Sequence, residues 1–88
     1  MKIKEILYTP TFKKLFNKLS KEIRSEAVNC EGSFRADVFD PKLKTHKLKG
    51  KFRNYYSFSI SYSHRIVFRF LKKDKVLFVD CGDHSVYK

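Results

Sequence analysis

Four side chains in this sequence, His46, Arg65, His84 and Tyr87, have the types that an RNA-cleaving centre needs. Cleavage by the ribose 2′-hydroxyl requires a base for the hydroxyl proton, cations for the phosphorane and an acid for the departing 5′-oxygen. Histidine serves in either proton role near neutral pH. His46 lies in a run that holds Lys42, Lys44, Lys47, Lys49, Lys51 and Arg53 and no acid. Those neighbours disfavour a further positive charge on the ring and so favour a neutral base. Arg65 and Arg69 alternate in HRIVFRF, and Tyr87 offers a hydroxyl or a ring on which a base can stack.

Each of these residues also has a plainer reading. A histidine among lysines is commonly a solvated loop residue, and His84 could simply pin the end of the chain. His64, beside a turn, reads as structural, and the lysines read equally as a solubilising face. Other chemistries find less support. There is no P-loop, HExxH or GxSxG motif, and the acids are too scattered for a two-carboxylate or two-metal centre. No metal and no cofactor is expected. Cys30 and Cys81 lack CxxC spacing and fall on apolar segments, which predicts reduced, buried thiols and no nucleophile.

The elements that must position these groups follow from periodicity. Residues 2–8 form a short strand in which Ile3, Glu5 and Leu7 alternate with Lys4 and Ile6. Thr9 caps and Pro10 opens a helix with Phe12, Leu15, Phe16 and Leu19 on one face. Ser20 caps a second helix, whose apolar face is Ile23, Ala27, Cys30, Phe34 and Val38 and which Asp40-Pro41 stops. The short link between the two predicts an antiparallel helical hairpin.

Beyond the basic run, Tyr56, Phe58 and Ile60 point one way and Tyr55, Ser57 and Ser59 the other. Ser61-Tyr62-Ser63 makes a turn, and Ile66, Phe68 and Phe70 then oppose Arg65, Val67 and Arg69. Residues 72–75 form a hairpin turn. The segment 76–81 reads as a central strand, apolar on both faces, which Gly82-Asp83 ends. This order predicts a single α+β domain over residues 1–88, with a helical hairpin on the apolar face of a mostly antiparallel, three- to four-stranded sheet. The other face is expected to be polar and basic.

Charge locates the partner. The 88 residues carry a formal +11, of which residues 1–40 hold +2 and residues 41–88 hold +9. Such asymmetry points to a polyanion, and a nucleic-acid backbone fits it best. No apolar stretch reaches the length of a membrane span or a signal-peptide core, so a cytoplasmic protein without membrane contact is expected.

Three segments, FDPKLKTHKLKGKFRNYYSFSI (39–60), HRIVFRF (64–70) and FVDCGDHSVYK (78–88), together resemble the RelE/ParE superfamily of bacterial type II toxins. They are nearest the RelE, YoeB and YafQ type of ribosome-dependent mRNA endonuclease. The resemblance runs nearly end to end and implies a microbial-RNase-like fold and metal-independent cleavage of mRNA in the ribosomal A site. It implies contacts to rRNA and a cognate antitoxin that wraps and inhibits the chain. By the same resemblance, His46, Arg65, His84 and Tyr87 are catalytic and Lys47, Lys49 and Lys51 surround the scissile phosphate, while Arg53 and Arg69, from the basic run and the basic strand face, are expected to hold RNA. The chain departs from the pattern in lacking any acid between Asp40 and Asp74, where YoeB-like members have a glutamate base. Ser59 and Ser63 also fall near where YafQ-like members have His and Asp. Two other functions compete: a ParE-like gyrase poison without nuclease chemistry, and a simple RNA-binding module. Paired proton-transfer groups favour the nuclease, since neither alternative needs them.

Overall fold

Both helices start where the sequence offers a cap. In the computed structural model, which describes residues 1–83, the Thr9 hydroxyl accepts a hydrogen bond from the Phe12 amide at 3.0 Å, ahead of helix α1 (Pro10–Asn17). The Ser20 hydroxyl accepts from the Ile23 amide at 3.2 Å, ahead of helix α2 (Lys21–Ala36). Each cap contributes about 1 kcal/mol. The Arg24 guanidinium donates back to the Asn17 and Leu19 carbonyls, at 3.3 and 2.9 Å, and so closes the end of α1. Helix α2 stops before Asp37, short of the Asp40-Pro41 expected to end it, so Val38 lies beyond the helix, and a short 3-10 turn, Pro41–Leu43, opens on the proline.

Five strands form one sheet: β1 (Glu5–Tyr8), β2 (His46–Lys47), β3 (Tyr56–Ser59), β4 (His64–Lys72) and β5 (Lys75–Asp83). Their spatial order is β1-β5-β4-β3-β2, antiparallel throughout except that β1 runs parallel to β5. The helices cover one face. Phe34 of α2 stacks on Phe58 at 4.7 Å between ring centroids and meets Phe68 edge-on at 4.9 Å, and all three are fully buried. Phe12 of α1 packs on Phe78 at 5.4 Å.

The α+β architecture matches the sequence reading, with local corrections. The sheet has one strand more than expected, because two residues, His46–Lys47, pair with β3. In β1 it is Ile6 that enters the core, while Glu5 and Leu7 are exposed. Gly82 and Asp83 do not end β5: they pair with Arg65 and His64. Finally, β5 is not apolar on both faces, and the reason is a bulge. Phe68 pairs with Phe78 but Val67 pairs with Asp80, so Val79 is an extra residue and Asp80 takes the next place in the ladder. The uncovered face is also less uniform than expected, because Leu48, Val67 and Ser57 are buried yet lie outside the main core. Among the described residues no helix is long and apolar enough to cross a membrane.

Candidate active site

Directly paired residues on neighbouring strands share a face of the sheet. His46 pairs with Ser57, Ser57 with Val67 and Val67 with Asp80, which makes one row across four strands. The adjacent row is Ser59, Arg65 and Gly82. On the other side of the first row, Arg69 pairs with Leu77, and Leu77 with Leu7. The alternating rows, such as Tyr56, Phe68 and Phe78, belong to the core. His46, Arg65 and Arg69 therefore share the face turned away from the helices. Strand spacing puts the Cα atoms of His46 and Arg65 about 12 Å apart. Their side chains are long enough to meet at one phosphate.

The His46 ring is exposed, and its contact with the backbone favours one tautomer. Its Nδ1 lies 3.0 Å from the Lys44 carbonyl oxygen, which can only accept, so Nδ1 carries the hydrogen and the neutral ring presents the Nε2 lone pair outward. Lys44 aims that carbonyl from a left-handed conformation, φ 52°, at the end of the 3-10 turn. A non-glycine residue holds such a conformation at a cost of order 1 kcal/mol.

The other predicted contacts are spread more widely. Lys47 pairs with Tyr56 and so sits on the helix side of its strand, opposite His46. Lys49 precedes a 3-10 turn at Gly50–Phe52, Lys51 places its ammonium 5.4 Å from the centre of the Phe52 ring, and Arg53 follows. All four are exposed. His64 lies on the core side of β4 with its Nδ1 2.8 Å from the Ser63 hydroxyl. His84 and Tyr87 lie outside the described residues.

Asp80 escaped the sequence reading. It is half-buried, its Oδ1 accepts from the Cys81 amide at 2.9 Å, and it lies diagonal to Arg65 across the β4–β5 ladder. Burial pushes its carboxyl above the usual aspartate value, against the lowering effect of that amide. The available signal was a single acid inside the apolar run VLFVDC. Two places along the same row, the Ser57 hydroxyl is buried without a hydrogen-bond partner among the described residues. The thiols are not placed for nucleophilic work: burial pushes Cys81 up to about 11 and also raises Cys30. Among the described residues no group of three or more His, Cys, Asp or Glu could hold a metal ion.

Two helices on one face of a five-stranded, mostly antiparallel sheet make up the RelE-like fold. Solved structures sharing it include the YoeB/ParE toxin from Agrobacterium tumefaciens (TM-score 0.76, 18% identity, covering 92% of this chain and 99% of that one). The E. coli DinJ-YafQ toxin-antitoxin complex (0.74, 15%, 97% and 96%) and the YoeB dimer from Staphylococcus aureus (0.71, 23%, 91% and 95%) share it too. At these identities the likeness establishes the fold. No protein-family model matches the chain, and no curated protein matches it by sequence.

Proposed function

We propose that this chain is the toxin of a type II toxin–antitoxin pair and cleaves mRNA on the ribosome by metal-independent attack of the ribose 2′-hydroxyl. The observation that carries this reading is the shared face of His46 and Arg65, on a fold that solved toxins also have. In the proposed reaction His46 Nε2 takes the 2′-hydroxyl proton and Arg65 stabilises the phosphorane. His84 returns a proton to the departing 5′-oxygen, and the Tyr87 ring stacks on a base. Lys47, Lys49, Lys51, Arg53 and Arg69 hold the mRNA and rRNA backbones. Asp80 supplies the face with an acid that the sequence pattern lacked.

A surface this basic attracts acidic segments, so the partner that silences it is an acidic, partly disordered antitoxin that folds on binding. The working compartment is the cytoplasm, where ribosomes translate. Translation of a mapped message in a purified system tests the reading. Wild-type protein should cut within codons and leave 2′,3′-cyclic phosphate ends, and a 2′-methoxy group at the scissile nucleotide should block cutting. An intact message together with inhibited DNA gyrase would replace this reading with the ParE-like one.

A further inference from the structure

At the His64 end of β4 the open face turns a corner into a cleft of about 670 Å³. It lies between α2, the segment around the Pro41–Leu43 turn and the β3–β4 turn. Its size is that of a small-ligand site. Lys42, Lys44 and Arg65 line it against a single acid, Glu26, with Asn29 and Ser61 among its neutral hydrogen-bonding groups. One side is joined to the next by the Cys30 thiol of α2, which donates to the Ile60 carbonyl at 3.4 Å. The ion pair that Lys42 makes with Asp40, at 3.9 Å on the surface, is weak enough to exchange for a phosphate.

Tyr62 stands at the rim of this cleft, fully exposed. No core contact accounts for so large a ring at the tip of a turn. The turn itself is fixed, since the Ile60 and Ser61 amides donate to the His64 carbonyl at 2.9 and 3.4 Å and the Ser63 amide to the Ser61 hydroxyl at 3.4 Å. An exposed ring on a hydrogen-bonded turn, at the rim of a cleft lined by two lysines, has the make-up of a base-stacking platform with a phosphate clamp. The cleft is also continuous with the candidate active site. Arg65 belongs to both, and Lys44 lines the cleft while its carbonyl orients His46.

We propose that this cleft is a subsite for one unstacked nucleotide of single-stranded RNA, next to the scissile phosphate: the base stacks on Tyr62 and its phosphate lies between Lys42 and Lys44. The proposal rests on the endonuclease reading above and extends it to how the message enters. Its test is binding of an uncleavable, fully 2′-methoxy RNA hexamer, followed by fluorescence anisotropy over a range of salt. Tyr62→Ala should weaken binding about ten-fold and Tyr62→Phe should restore it. Lys42→Ala with Lys44→Ala should reduce the salt slope by about 0.7, the value for one single-strand phosphate contact. Lys72→Ala with Lys73→Ala, at the far end of β4, should change neither the Tyr62 effect nor the fit of the hexamer.

Wild-type affinity in Tyr62→Ala overturns the proposal, as does wild-type protein that binds no hexamer. Equal displacement of the hexamer by a poly-glutamate peptide also overturns it, by making the cleft a general anion or acidic-peptide surface. The two readings fail separately. If a natural message is cut but Tyr62→Ala binds normally, the cleft falls and the nuclease stands. If the hexamer binds through Tyr62 and no message is cut, the cleft stands and the nuclease falls.

Discussion

On the helix side of the sheet, Phe34, Phe58, Phe68 and Phe78 are fully buried and meet one another at centroid distances of 4.7–6.3 Å. On the other side the same strands present a serine hydroxyl buried without a partner among the described residues, a half-buried carboxyl and two arginines. Aromatic packing of the first kind supplies stability. An unpaired buried hydroxyl and a desolvated acid remove it. The difference teaches that one face holds the molecule together while the other keeps groups that packing alone would not select.

The largest effect should come from breaking the packed face. Phe68 touches Phe34, Phe58, Phe78, Tyr56 and Phe70. Phe68→Ala should lower the unfolding free energy by about 3–5 kcal/mol in urea titrations, a large share of what a domain of this size possesses. Ser57, its neighbour but one on the opposite side of the sheet, should respond in reverse. Ser57→Ala removes the unpaired hydroxyl and should stabilise by about 1 kcal/mol in the same titration. A loss there would mean that the hydroxyl is satisfied in solution.

The smallest effect depends on pH. The folded Asp80 carboxyl titrates above the ordinary 3.8. Between those two values the folded chain keeps a proton that the unfolded chain has released, so stability falls as pH rises through the window. Asp80→Asn should therefore be more stable than wild type at pH 7, with the advantage closing below pH 3.8. The amide keeps an oxygen for the Cys81 N–H, which isolates the charge. An advantage that is the same at both pH values would assign it to packing.

Local chemistry made much of the fold legible. Thr9, Pro10 and Ser20 start their helices through contacts within three residues, and the alternation of Ile66, Phe68 and Phe70 placed β4 and its faces correctly. What stayed hidden depends on distant pairing. β1 finds β5 across almost the whole chain, a contact that no local pattern announces. β2 is two residues long, too short for any period. The extra residue at Val79 shifts the alternation of β5, and with it the face of Asp80. The candidate site depends on distant pairing in the same way. Type and alternation named His46 and Arg65 and put them on the polar face with Arg69, but not the pairing of His46 with Ser57, which sends Lys47 to the helix side.

The most direct test measures rate and stability on one variant. His46→Gln alters an exposed side chain that takes no part in the packed core. Single-turnover cleavage of a mapped message on the ribosome should slow by about 10²- to 10⁴-fold, while the unfolding free energy in urea stays within about 0.5 kcal/mol of wild type. Cleavage at the wild-type rate, or a rate loss matched by an equal loss of folded protein, would contradict the assignment of chemistry to the open face.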